Sequence, residues 1–231
     1  MKLLVIRPQP GADATAARVR ALDHEAVIMP LFEVRPVAWE VPTPNAYDAL
    51  LLTSGNAVRQ AGAGLDRLRG LPVYAVGSAT KRAAEQLNLV VAITGDAGVD
   101  ALLAVADAGG HRRLLWLAGE DRMALSLPEG VMIDTRIVYR SVALATPADF
   151  AATVTASDVI LLHSARAAKY FTSFCEIQAL DRANITVAAL SSAIAESAGS
   201  GWRERITAPT PNDAALLSQV QSCFTKSASD P

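Results

Sequence analysis

The chain has 231 residues, 51% of them apolar and only 5% aromatic, with a formal net charge of −2. That is enough apolar material for one large or two small globular domains, and it excludes a disordered or fibrous chain. No dense Lys/Arg run is present, so there is no electrostatic footprint for a phosphate backbone and nucleic acid is not an expected partner.

The first residues, Met1 to Arg7, form a short apolar run closed by Arg7 and Pro8, too brief for the apolar segment of a signal peptide. No later stretch approaches the roughly 20 apolar residues that span a bilayer. A cytoplasmic monomer with no membrane partner is expected. Apolar runs then recur along the chain at Leu3 to Ile6, Ala49 to Leu52, Val73 to Val76, Leu114 to Leu117, Ile137 to Tyr139, Val159 to Leu162 and Val187 to Leu190. Runs without polar alternation suit strands covered on both faces, as in a parallel sheet. Between them lie alanine-rich helical stretches at Ala12 to Leu22, Ala79 to Leu87, Ala167 to Phe174 and Ala214 to Phe224. In the last, Leu216, Leu217, Val220 and Phe224 fall on one helical face. The alternation predicts an α/β fold with parallel, doubly wound sheets flanked by helices.

The chain also repeats itself. Tyr47-Asp48-Ala49-Leu50-Leu51-Leu52-Thr53-Ser54 reads like Ser157-Asp158-Val159-Ile160-Leu161-Leu162-His163-Ser164. Val73 to Ala79 matches Val187 to Ala193, Asp100 to Leu102 matches Asp213 to Ala215, and Lys2 to Ile6 matches Arg113 to Leu117. A constant offset of about 110 residues is far longer than a solenoid period and signals two duplicated lobes. The proline-bearing segments Glu33 to Pro44 and Ser141 to Pro147 read as semi-rigid linkers; the linkers proper are expected at 36–44 and 141–145.

Ligands of open α/β sheets bind beyond the carboxyl ends of the strands. Serines stand at four such junctions, Ser54, Ser78, Ser164 and Ser192, where they can cap helices beside free N–H groups that favour an anion. Any one of them is explained as a plain N-cap, but four in equivalent places point to a ligand laid along two facing edges. Arg7 ends the first strand, where a guanidinium suits a carboxylate; a solvated or salt-bridged arginine is the competing reading. No phosphate-binding loop and no G-x-G-x-x-G follow a strand, which sets back a nucleotide-dependent transferase. His163 and Ser164 are adjacent, so on an extended chain they point apart and make a poor nucleophile pair. His24 and His111 lie in turns, Glu120, Asp121 and Glu196 are scattered, and Glu120 and Asp121 read as first-turn acids of a following helix. Cys175 and Cys223 lie far apart with no metal-ligand spacing around them, so no disulfide, metal or other cofactor is expected.

The residues taken in order resemble the uroporphyrinogen-III synthase family over nearly the whole chain. They are Arg7-Pro8, Tyr47-Asp48, Thr53-Ser54-Gly55-Asn56-Ala57, Val76-Gly77-Ser78-Ala79-Thr80, Gly119-Glu120, Val138-Tyr139-Arg140, Ser164 and Ala208-Pro209-Thr210-Pro211. Departures stand at His163 and at Ser191, Ser192, Ala193 and Ile194. The resemblance implies flavodoxin-like half-units with exchanged parts: residues 1–35 plus 146–231 as one lobe, 45–140 as the other, joined by a two-segment hinge. It also implies a cofactor-free lyase acting on hydroxymethylbilane, a linear tetrapyrrole with eight carboxylates. Tyr139 becomes the candidate catalytic acid, against the alternative of a tyrosine merely packed under the linker. Arg7, Thr53, Ser54, Asn56, Gly77, Ser78, Ser164, Ser191 and Ser192 become candidate substrate-binding residues. A non-catalytic two-lobed binding protein is the alternative function.

Overall fold

The computed structural model describes residues 1–95, 98–122 and 124–227, so residues 228–231 of the expected first lobe lie outside the described residues. The elements run β1 (Lys2–Val5), α1 (Gly11–Arg20), β2 (Glu25–Ile28), β3 (Phe32–Pro36), β4 (Ala49–Leu52), α2 (Gly55–Gln60), β5 (Val73–Val76), α3 (Ser78–Gln86), β6 (Val91–Gly95) and α4 (Val99–Ala108). There follow β7 (Arg113–Gly119), β8 (Met132–Ala143), α5 (Phe150–Thr155), β9 (Val159–Leu162), α6 (Ala165–Ile177), β10 (Thr186–Ala189), α7 (Ser192–Ser197), β11 (Glu204–Thr207) and α8 (Asp213–Ser227). The chain divides into two compact units, Met1–Glu33 with Ala143–Pro231, and Val34–Val142. Both crossings between units fall inside strands, β3 and β8, so the proline-bearing linker segments begin as strand. Among the described residues no helix is long and apolar enough to cross a membrane.

The first unit holds a five-stranded sheet in the order β11-β10-β9-β1-β2, all pairs parallel. Its core has two layers because successive residues of a strand point to opposite faces. Leu4, Ile6, Ile160, Leu162 and Val187 face Phe150, Phe171 and Phe174 of α5 and α6. Leu3, Val5, Val159, Leu161 and Ala188 face Ala12 and Val19 of α1 and Leu216, Leu217 and Val220 of α8. Both faces are apolar because both are covered, which is the physical origin of the uninterrupted runs in the sequence.

The second unit holds the order β3-β8-β7-β4-β5-β6, with β8, β7, β4, β5 and β6 parallel. One layer packs Leu50, Leu52, Leu115 and Leu117 against α2 and α3, and the other packs Leu51, Leu114 and Trp116 against Leu102, Leu103 and Ala106 of α4. The repeated blocks occupy equivalent places, since β7, β4 and β5 are neighbours here as β1, β9 and β10 are in the first unit. The repeated aspartate performs one task twice. Asp48 accepts from the Arg112 and Arg113 N–H groups at 2.9 and 2.8 Å, and Asp158 accepts from Lys2 N–H at 2.6 Å, each fastening a strand start to the central strand beside it.

The first unit is assembled from two separate stretches of chain, and a buried carboxylate joins them. Asp213, first residue of α8, accepts from Thr15 Oγ1 at 2.7 Å, Arg18 Nη1 at 3.0 Å, Arg7 Nη1 at 3.4 Å and His163 Nε2 at 3.0 Å. An ionised carboxylate only accepts, so His163 carries its proton on Nε2. The Asp213 side chain is 9% exposed and that of His163 4%. Burial pushes the Asp213 pKa up, but the His163 and Thr15 hydrogen bonds and the neighbouring positive charge outweigh it and hold the carboxyl well below the usual range. Burial also lowers the His163 pKa, Asp213 opposing it.

Both groups have depressed folded pKa values, so their stabilisation is complete above the unfolded pKa, about 6.5 for His and 3.9 for Asp, and is lost as pH falls below those values. Asp213→Asn should lower unfolding free energy at pH 7 by about 2 kcal/mol, because the buried His163 and Thr15 donors lose their ionised acceptor. It should also flatten the acid limb of stability below about pH 4. Urea titrations at pH 7 and pH 3.5 check both, and a variant as stable as the parent at pH 7 would show that the cluster does not tie the two stretches together.

Candidate active site

In the second unit the carboxyl edge of the sheet opens into a cavity of about 270 Å³ lined by Thr53, Ser54, Val76, Val99, Trp116, Gly119, Asp121, Arg122, Leu125 and Tyr139. Ser54 is the N-cap of α2, its Oγ accepting from Asn56 N–H at 3.1 Å. Asn56 in turn accepts from Arg59 Nη2 at 2.7 Å. Thr53 Oγ1 accepts from Trp116 Nε1 at 3.1 Å, which fixes the indole as one wall. Gly77, with φ +77°, is the N-cap of α3, a backbone conformation that an L side chain rarely adopts. Its carbonyl accepts from the Thr80 and Lys81 N–H groups, both at 3.1 Å.

Tyr139 owes its place to a slip in register. β7 and β8 pair evenly from Arg113↔Met132 to Ala118↔Ile137, and then Gly119 pairs with Tyr139. The extra residue, Val138, is fully buried, and a bulge of this kind re-aims the side chain that follows it. Gly119 supplies the room: a Cβ there would stand 2.6 Å from Tyr139 Cζ and 2.8 Å from its hydroxyl. The tyrosine ring therefore lies directly on the glycine backbone, with Tyr139 O accepting from Glu120 N–H at 2.9 Å. Partial burial pulls the Arg59 pKa down, and the neighbouring Tyr139 acts against it.

In the first unit Ser164 caps α6, accepting from Ala167 N–H at 3.1 Å. Ser191 caps α7, accepting from Ile194 N–H at 3.4 Å. Arg7 lies over Gly11, where a Cβ would stand 2.6 Å from Arg7 Nε. Its guanidinium is held by Asp213 and remains 31% exposed. Burial is the main cause that lowers the Arg7 pKa, with Asp213 opposing it. Cys175 is a core residue of α6 whose thiol burial pushes up to about 11, so it is no nucleophile at neutral pH.

The structure thus gathers Thr53, Ser54 and Tyr139 around one cavity, with Asn56, Gly77 and Ser78 on the same edge of the second sheet. Arg7, Ser164, Ser191 and Ser192 stand on the corresponding edge of the first. Two capping assignments are corrected. Ser78 and Ser192 are first residues of their helices, while the caps fall one residue earlier, on Gly77 with its φ of +77° and on Ser191, whose Oγ accepts from Ile194 N–H. Glu120 and Asp121 are not first-turn acids either, since among the described residues no helix lies between β7 and β8. Sequence reasoning did not single out Trp116, Arg122 or Arg59 as site residues; Trp116 lies within β7 and Arg122 in the segment after it, a strand end with no serine to mark it. Asp213 was visible only as a member of a repeated block. Among the described residues no group of His, Cys, Asp and Glu is arranged to hold a metal ion.

The family model for uroporphyrinogen-III synthase HemD matches residues 13–218. Comparison with curated protein sequences gives no significant match. Among solved structures the chain is similar to the uroporphyrinogen-III synthetase from Helicobacter pylori, with 18% identity and a TM-score of 0.63, over 96% of this chain and 100% of that one. It is also similar to a mutant uroporphyrinogen III synthase from the extremely thermophilic bacterium Thermus thermophilus, with 16% identity and a TM-score of 0.57, over 98% of this chain and 99% of that one. At such identities the structural likeness speaks for the two-domain α/β fold alone. Because the family model spans most of its length, the chain belongs to the uroporphyrinogen-III synthase family.

Proposed function

We infer that this chain is a cyclising lyase of tetrapyrrole biosynthesis, which closes hydroxymethylbilane to uroporphyrinogen III with inversion of the last pyrrole ring. The observation that carries the reading is the family match over residues 13–218, and the seat of Tyr139 at a cavity rim supplies a means. In the reaction of this family the C–OH bond of the first ring breaks, its pyrrole nitrogen supplying the electron pair and losing its proton, so that water is lost and an azafulvene forms. That carbon joins the substituted position of the last ring to give a spiro intermediate, which fragments and recloses inverted. The pyrroles provide most of the electronic drive. The protein's share is to hold the chain folded and to assist departure of the hydroxyl.

For the second task Tyr139 is the proposed acid, because a phenol donates a hydrogen bond to the leaving oxygen without a charge of its own at neutral pH. For the first, capped helix starts at Ser54, Ser164 and Ser191, the turn at Gly77 with Ser78, and the polar groups of Thr53, Asn56 and Ser192 are proposed to receive substrate carboxylates. Arg7 adds a guanidinium whose position Asp213 sets. The reading includes a monomer acting in the cytoplasm on a small-molecule substrate, without a cofactor. A non-catalytic binding protein of similar build is disfavoured by the family match.

Purified, chelator-treated and dialysed protein should convert hydroxymethylbilane to the type III isomer; only type I product, formed at the spontaneous rate, would refute the assignment. Tyr139→Phe should lower kcat about a hundredfold, the lower end for general-acid assistance, with melting temperature near the parent's. Gly119→Ala, which keeps the hydroxyl but displaces the ring, should also lower kcat. Full turnover by Tyr139→Phe would make the residue structural. Ser54→Ala and Ser164→Ala should each cost about 1 kcal/mol in substrate binding or helix stability, since backbone N–H groups remain. Isothermal titration with product and thermal melts separate these two contributions.

A further inference from the structure

The cavity beside Tyr139 is too small for a tetrapyrrole. At about 270 Å³ it lies just under the usual range for small-molecule pockets, roughly 300–1,000 Å³, and matches one substituted five-membered ring. Its walls divide by chemistry. Val76, Val99, Leu125 and the Trp116 ring are apolar, Thr53, Ser54 and Tyr139 bring hydroxyls, and Asp121 and Arg122 bring one charge of each sign. The only N–H of the Trp116 indole is committed to Thr53, so the indole presents no hydrogen-bond donor to a ligand. Trp116 is 6% exposed, placed as a wall and not as a surface residue.

Arg122 completes the arrangement. Its guanidinium carbon lies 5.9 Å from the Trp116 ring centroid, and Nη1 donates to the Glu120 carbonyl at 3.2 Å. Among the described residues no carboxylate pairs with it at ion-pair distance, in contrast to Arg7, Arg18 and Arg136. A guanidinium carries five N–H donors, so an arginine held by one carbonyl and an aromatic face keeps most of them for an incoming carboxylate.

We propose that this cavity is a single-ring subsite that takes the pyrrole bearing the departing hydroxyl, with Trp116 as its aromatic wall and Arg122 as the partner of one of that ring's carboxylates. The assignment rests on the function proposed above, because it is Tyr139 at the same cavity that selects which ring enters. Arg122 is then a specificity-determining residue: it recognises an acid side chain on a pyrrole and takes no part in breaking the C–O bond.

The test uses the whole protein with 5-fluorotryptophan at Trp39, Trp116 and Trp202, the Trp116 resonance being assigned from Trp116→Phe. The probe is porphobilinogen, a monopyrrole with one acetate and one propionate. Porphobilinogen should shift the Trp116 resonance and leave Trp39 and Trp202 in place, and it should bind about tenfold more weakly to Arg122→Gln, the scale of one charge-assisted hydrogen bond. With hydroxymethylbilane, Arg122→Gln should raise KM about tenfold with kcat within twofold, and Arg122→Lys should recover part of the loss. Normal turnover by Arg122→Gln with unchanged KM, or a parent whose Trp116 resonance ignores the monopyrrole, would overturn the subsite while leaving the enzyme assignment intact. A protein without turnover whose Trp116 resonance still responds, with the response weakened by Arg122→Gln, would sink the enzyme assignment and overturn the choice of ring, leaving a pyrrole-binding cavity alone.

Discussion

One buried carboxylate governs the architecture of the first unit. Met1–Glu33 and Ala143–Pro231 form a single compact body, although more than a hundred residues of chain separate them. Strand pairing of β1 with β9 joins them through backbone hydrogen bonds, and Asp213 joins them through side chains, drawing Arg7, Thr15 and Arg18 from one stretch and His163 from the other. An unpaired carboxylate at that depth would be costly, so once the sheet forms, the four donors and the acid require one another. The same requirement makes Arg7 a fixed group and not a mobile surface cation, leaving its exposed portion in a defined place at the carboxyl edge of the sheet.

The two units show what a duplication keeps and what it releases. At the amino ends of the strands the repeated aspartates still do the same work, Asp48 on Arg112 and Arg113, Asp158 on Lys2. At the carboxyl ends the units part. The residue after the central strand is Thr53 in one, tied to Trp116 of β7, and His163 in the other, tied to Asp213 of α8. The first arrangement leaves a cavity with an aromatic wall, and the second builds a buried ion cluster. Loops at this edge are free to change because the strands and helices behind them are packed on both faces.

The chemistry asks little of the protein, and the candidate site is correspondingly spare. A substrate whose own nitrogens drive departure of the leaving group needs orientation, anion recognition and one donor near the departing oxygen. Capped helix starts and arginines suit the second, and a tyrosine re-aimed by a bulge suits the third. The close fit of the Tyr139 ring on Gly119 shows how such a residue is held with no hydrogen bond to its hydroxyl among the described residues: the backbone beneath it carries no side chain.

The α/β class, the duplication and the inner strands were legible in the order of residues alone. Those strands are covered on both faces, and their apolar runs, such as Ala49–Leu52 and Val159–Leu162, are continuous for that reason. Two helix caps, Ser54 and Ser164, were legible too, because capping is local. The strands β2, β3, β6 and β11 were not. All four are edge strands, partly exposed and mixed in composition, so they lack the apolar run that identified the others. Nor was the site's geometry. Tyr139 meets Gly119 through a one-residue slip between two strands, and Asp213 meets Arg7 across 206 positions of chain. Local propensity carries no information about pairings at that range; they are decided when the sheet closes and buried charges must find partners.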